Sequence, residues 1–82
     1  MKLKKNIAIS ETGFLFNPTS GDSFSSNQIG VDIINLIKEG KSSAEVKRFI
    51  LTKYEVPPAL LEKDFIDFVA QLQDFNILES EK

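Results

Sequence analysis

The chain contains no cysteine and no histidine. Without cysteine there is no disulfide to staple it, no thiolate to hold zinc and no thiol nucleophile. Without histidine it also lacks the usual general base and the commonest metal ligand, and the two absences together argue against an enzyme. Length sets a further limit. The 82 residues make one small domain, near the size at which a single hydrophobic core barely outweighs the entropy of ordering the chain. The composition is still that of a folding sequence, 41% hydrophobic and 27% charged. A net charge of −2 speaks against a nucleic-acid binder, which concentrates basic side chains to displace phosphate counterions. No apolar run approaches the roughly 18 residues of a membrane span. Lys2, Lys4 and Lys5 look like the charged start of a signal peptide, but Asn6, Ser10, Glu11 and Thr12 interrupt what would be its apolar stretch. The chain therefore reads as cytoplasmic, with the three lysines flanking a first strand and keeping a sheet edge soluble.

Two periods divide what is there. Ile7 and Ile9 alternate with Asn6, Ala8 and Ser10, the two-residue period of a half-buried strand. Gly13 resets the chain, and Phe14-Leu15-Phe16 forms a short strand that ends where Pro18 can no longer donate to a ladder. Asn17 to Asp22 gathers turn-forming residues, so Ser23-Phe24-Ser25 is expected to return antiparallel. From Asn27 the period lengthens: Ile29, Ile33, Leu36 and Ile37 form one helical stripe, with Ser25 or Ser26 placed to cap it and Gly40 to end it.

Ser42-Ser43-Ala44-Glu45 is an S-x-x-E capping box and opens a second helix. Val46, Phe49, Ile50 and Tyr54 are its expected buried positions, with Lys47, Arg48 and Lys53 outside. Pro57-Pro58 halts that helix and pre-sets the first turn of a third. There Leu61, Phe65, Phe68 and Leu72 form the core stripe, and Asn76 is a left-handed cap before the apolar Ile77-Leu78. With no repeat and no linker, residues 1–82 read as a single α+β domain. Its layout, a three-stranded antiparallel sheet followed by three α-helices, is that of a small winged helix-turn-helix.

The residues carry a resemblance to a family. The run from Phe24 to Ile37 resembles the segment of the pyrroloquinoline quinone biosynthesis protein D (PqqD) family in which a hairpin strand leads through Leu-Asn and a glycine to an Ile-Trp pair. Asn27, Gly30 and Ile33 match, while Ser26 and Ile34 depart from the leucine and the tryptophan. Ser42 to Val46 looks like the family's Thr-x-x-Glu-Ile helix start, and Tyr54-Glu55-Val56-Pro57-Pro58 is similar to its Tyr-Asp-Val-x-Pro junction. Asp64, Phe68 and Leu72 fall where its third helix has an aspartate and a Phe/Leu pair, and Asn76-Ile77-Leu78 replaces a closing Gly-Leu-Leu. The resemblance implies a peptide-recognition element of ribosomally synthesised, post-translationally modified peptide (RiPP) pathways. Such a protein has no catalytic activity or cofactor of its own. It holds the leader of a precursor peptide and presents the core to a modifying enzyme, such as a radical S-adenosylmethionine protein.

For such a role the residues offer one economical site. The third strand, with Asp22, Ser23, Phe24 and Ser25, can present an open edge to which an extended peptide adds by main-chain hydrogen bonds. The third helix supplies the other wall: at roughly 100° per residue, Glu62, Ile66, Val69 and Gln73 lie on one flank of the core stripe, with Lys63 and Ala70 further round. Competing structural roles exist for each. Ile66 and Val69 can simply widen the core, Phe24 can be core, and Asp22, Ser23 and Ser25 can be an edge kept polar against aggregation. Asp64 is within reach of Lys63 or Lys47. An open edge also invites a second copy, giving a homodimer when ligand is absent.

Two other classes fit the residues less well. The same topology serves winged-helix DNA-binding regulators, but from Pro57 onward Glu62, Asp64, Asp67, Asp74, Glu79 and Glu81 face only Lys63 and Lys82. Phosphate would be repelled by such a recognition helix. For an enzyme, the carboxylate pairs Glu62 with Asp67 and Asp64 with Asp67 are the only acid–base candidates, and their spacing is that of ordinary exposed charges.

Overall fold

The computed structural model describes residues 1–79; Glu81 and Lys82, counted in the charge balance above, lie outside them. The strands are β1 (Ala8–Ile9), β2 (Phe14–Phe16) and β3 (Ser23–Ser25), followed by α1 (Gln28–Lys38), α2 (Ser43–Lys53) and α3 (Pro58–Asp74). The expected order and fold class hold. The strands form one antiparallel sheet in the order β1-β2-β3, with Ile9 opposite Leu15 and Leu15 opposite Phe24. These three side chains share one face, and that face meets the helices. Leu15 is fully buried, and Ile9 and Phe24 pack half-buried against the core.

Local sequence explains the helix ends. The N-cap of α1 is Asn27, whose carboxamide oxygen accepts the Gly30 N–H at 2.9 Å. Neither Ser25 nor Ser26 serves as expected, because Ser25 is still in β3 and the Ser26 N–H donates to the Gly13 carbonyl at 2.7 Å. Past the end of α1, Gly40 has a φ of +87°, its N–H reaching Ile37 while Lys41 N–H reaches Leu36. Asn76, at φ 58°, closes α3 with the same pair of bonds: its N–H donates to Gln73 and that of Ile77 to Leu72. The capping box of α2 is complete. The Ser42 hydroxyl accepts from Glu45 N–H at 3.2 Å and the Glu45 carboxylate accepts from Ser42 N–H at 3.0 Å. The Ser42 backbone and hydroxyl thereby hold the Glu45 carboxyl below the usual range.

Burial departs from the expected stripes where an element has more, or fewer, neighbours than one face can serve. On α1, Val31 and Ile34 are buried beside Ile33 and Ile37, whereas Ile29 and Leu36 stay partly exposed. This helix lies between the sheet, where Val31 abuts Gly13, and α2. On α2 only Val46 and Ile50 are buried; Phe49, expected in the core, is 41% exposed, with the Lys53 ammonium 5.8 Å from its ring centre. The main contacts of α2 are with α1 and α3, so only the strip between those two is covered. Phe68 of α3 is half-buried, while Leu61, Phe65 and Leu72 are buried as expected.

The N-terminal lysines do not simply flank β1. Leu3 pairs with Leu78 in an antiparallel bridge, Lys4 N–H donates to Ile77 and Glu79 N–H to Lys2. This short pairing seals Ile77 and Leu78, both buried, against the core.

One polar cluster ties α1 to the end of α2. The Asp32 carboxylate accepts from the Tyr54 hydroxyl and, at 3.0 Å, from the Lys53 ammonium. Partial burial pushes the Asp32 carboxyl up, but the bonds from Tyr54, Lys53 and Gln28 prevail and hold it below the usual range. Its carboxylate in turn raises Lys53 and Tyr54. A depressed aspartate stabilises the fold above its unfolded value of about 3.9, and the contribution disappears as pH falls through the folded value. Asp32→Asn should therefore lower the denaturation midpoint at pH 7, and the gap from the parent should close as chemical denaturation is followed down to pH 2. A gap of constant size would show that the charge on Asp32 has no part in it.

Candidate functional site

Strand β3 pairs with β2 on one side, and no described strand lies on its other side. The flanking bonds Asn17 N–H to Asp22 and Ser26 N–H to Gly13 set the alternation of this antiparallel ladder. They put Leu15 and Phe24 at a hydrogen-bonded pair and turn the main-chain groups of Ser23 and Ser25 outward. The free edge of β3 thus offers donors and acceptors spaced for another extended chain. Ser23 and Ser25 are exposed, so no bulky side chain shields that edge.

Phe24 points from the middle of β3 toward α3. Its ring centre lies 5.9 Å from that of Phe68 and 5.3 Å from that of Phe75, both tilted contacts. Phe24 and Phe68 are half-buried and Phe75 remains 41% exposed, so the trio is an apolar floor that meets solvent at Phe75. Near β3's start, the Asn76 side-chain amide donates to the Asp22 carboxylate at 2.8 Å, and the Asn17 side-chain amide donates to the Asn76 carbonyl at 2.6 Å. The bond from the Asn76 amide, with one from Ser20, holds the Asp22 carboxyl below the usual range. Beyond the end of β3, Asn27, Ile29 and Gly30 face Leu60, Asp64, Asp67, Phe68 and Gln71 of α3 across a depression of about 390 Å³. Gly30 leaves room on both sides, since a Cβ there would overlap the Ser26 hydroxyl and sit 3.0 Å from the tip of the Phe68 ring. The contacts run from Asp22 with Asn76, through Phe24 with Phe68 and Phe75, to Asn27 opposite Asp64. They make β3 and α3 antiparallel walls of one cleft.

The structure brings together only part of the expected site. Asp22, Ser23, Phe24 and Ser25 do form or adjoin the open edge. Taking about 100° per residue, Val69, Glu62, Gln73 and Ile66 are turned about 100–160° from Phe68 in one sense, whereas Asp64, Gln71, Leu60 and Asp67 are turned about 40–100° in the other. The first group is on the far side of the core stripe from β3. Ile66 is 59% exposed there and lines a separate depression with Met1, Ser43, Lys47, Val69, Ala70 and Gln73. Val69 packs partly on the core. Glu62 pairs with Lys47 at 2.8 Å, the lysine that sequence offered to Asp64; Lys63 and Ala70 are exposed. Reading the residues alone missed Asn17, Leu60, Gln71 and Phe75. The recurrence of Phe68 and Phe75 seven residues apart is the one local signal that marks this flank.

Chemically, the cleft can take an extended chain on its polar edge and alternate side chains on its aromatic floor. Among the described residues no three histidine, cysteine, aspartate or glutamate side chains converge as metal ligands. No helix among them is long and apolar enough to cross a membrane.

The sequence profile of the coenzyme PQQ synthesis protein D (PqqD) family matches residues 12–78. The chain belongs to the PqqD family. Two solved structures resemble it over nearly their whole length. TbiB1 in complex with the TbiA(β) leader peptide is 26% identical, with a TM-score of 0.89 over 100% of this chain and 99% of that one. A lasso peptide synthetase B1 complexed with the leader peptide is 25% identical, with a TM-score of 0.79 over 93% of each chain. No curated protein matches the chain by sequence. The PqqD profile begins just before Gly13 and ends on Leu78, so it takes in both walls of the cleft and the tail that seals the core.

Asn17 is only 4% exposed, and its carboxamide oxygen also accepts the N–H groups of Thr19 and Ser20. Asn17→Ala should cost about 1–3 kcal/mol, the range for a buried polar group stripped of its partner, read from the denaturant midpoint. A loss within experimental error would mean that the sheet and α3 hold their positions without it.

Proposed function

We propose that this PqqD-family protein is a non-catalytic accessory protein. It binds the leader of a ribosomally made precursor peptide by strand addition at β3 and presents the precursor to a modifying enzyme in the cytoplasm. The carrying observation is the open β3 edge facing the aromatic side of α3, in a chain whose fold matches that of two leader-peptide complexes. Residues 1–82 act as one recognition domain. The binding residues we assign are Ser23, Phe24 and Ser25 on the edge, Phe68 and Gln71 on α3 with Phe75 at its end, and Asp22 in the hydrogen-bonded junction between them.

The modifying enzyme implied by the family resemblance is a radical S-adenosylmethionine protein. Likeness to a lasso peptide synthetase B1 favours a lasso-forming enzyme as the second reading, and the neighbouring genes distinguish the two. Absence of catalysis is supported by the lack of cysteine and histidine and by the engagement of Glu62 with Lys47. DNA binding finds no support. Of the basic residues on α2, Lys47 is tied to Glu62 and Lys53 to Asp32, so little positive charge remains to meet phosphate. With no leader present, the same edge can pair with that of a second copy to form a homodimer.

Titrating isotope-labelled protein with a precursor leader encoded nearby should move the amide signals of Ser23 to Ser25 and of Phe68, Gln71 and Phe75. Movement along Glu62, Ile66, Val69 and Gln73 instead would transfer the site to the far flank of α3. Movement confined to α2, or none with any neighbouring peptide, would defeat the proposal.

A further inference from the structure

The cleft changes character along its length. At the Asp22 end it is bridged by Asn76 and Asn17, and in the middle lie the half-buried rings of Phe24 and Phe68 beside the exposed ring of Phe75. Beyond Ser25 its α3 wall carries Asp64 and Asp67 beside Leu60 and Gln71, and no basic side chain lines that depression. Neither aspartate has an ion pair or a side-chain hydrogen bond among the described residues, although Lys63 lies one turn from Asp67. On the other flank of the same helix, Glu62 is neutralised by Lys47. The helix is therefore compensated where it meets α2 and left negative where it faces Asn27 and the start of α1, just beyond the free strand edge.

Resting on the peptide-binding reading above, we propose that the peptide held in this cleft carries an apolar side chain over the Phe24–Phe68–Phe75 floor. We place a lysine or arginine two or four residues away, reaching Asp64 and Asp67. The spacing follows from geometry. From the midpoint of Phe68 and Phe75 to that of Asp64 and Asp67 is six helical residues, about 9 Å at 1.5 Å each. An extended chain covers that distance in about three residues, so side chains on its inward face fit at separations of two or four. Because β3 and α3 run antiparallel, a peptide antiparallel to β3 has its basic residue on the N-terminal side of the apolar one, and a parallel peptide has the reverse. Main-chain pairing supplies affinity without regard to sequence, and the two aspartates then select the charge of the partner.

The test uses the full chain, immobilised at low salt, to select from a display library of random 16-residue peptides. Enriched peptides should pair an aromatic or branched apolar residue with lysine or arginine at a separation of two or four. Synthetic versions should bind the Asp64→Asn/Asp67→Asn double variant about fivefold more weakly, the scale of two exposed charge pairs. Replacing the peptide lysine by glutamine should cost the parent protein the same factor and the double variant nothing further. That peptide arm needs no variant to fold. Enrichment without a basic residue, or equal affinity for parent and double variant, would overturn the charge selection while leaving peptide binding standing. Failure to enrich any peptide, together with failure of a neighbouring leader to bind, would remove both.

Discussion

A sheet whose strands are two or three residues long cannot hold itself in water, and the whole arrangement depends on where it is fastened to the helices. The fastening is the buried Asn17 side chain. Its oxygen closes the β2–β3 turn through Thr19 and Ser20, while its nitrogen reaches across 59 residues of sequence to the carbonyl of Asn76. Asn76 is itself the left-handed cap of α3 and returns a bond to Asp22 at the start of β3. One hairpin turn and one helix end are thereby made a single unit. The apolar contact of Leu15 with the helical core then has a defined geometry to reinforce.

That junction gives the cleft its form. β3 and α3 are joined at the Asp22 and Asn76 end, and at the other end Phe68 of α3 packs close to Gly30 at the start of α1. Between these points the strand keeps its outer hydrogen-bonding groups unused and the helix keeps Phe75 in solvent. In a small domain that must bury all the apolar surface it can, an open edge beside an exposed ring suits a surface that another chain covers. Main-chain pairing holds almost any extended segment, and the helix wall decides which.

Much of the fold was legible in the residues because its signals are local. The change from a two-residue to a helical period, the Ser42–Glu45 box, Pro58 at the first turn of α3 and Asn76 after its last each act within a few residues of themselves. Errors arose where burial depends on what lies opposite. Phe49 has the right spacing for a core position but faces away from both neighbours of α2, and Ile34 is buried because α1 is enclosed on two sides. Ser26 is a good cap by type, yet its backbone still extends the β2–β3 ladder to Gly13, so the helix starts one residue later, with the Asn27 side chain accepting the Gly30 N–H.

The cleft divides along the same line. The sequence by itself determined that a third strand precedes the helices, that its residues are small and polar around Phe24, and that α3 has an apolar stripe with two flanks. A helical period is symmetric about its stripe and carries no information on which flank meets the strand. It took the tertiary structure to put Phe68 and Phe75 against Phe24 of β3, with Gln71 toward Asn27, while Ile66, Val69 and Gln73 face Met1 and Lys47. The reason is the long-range bonding of Asn17 and Asp22 to Asn76, which sets the side of α3 that the sheet approaches and leaves no mark within either segment alone.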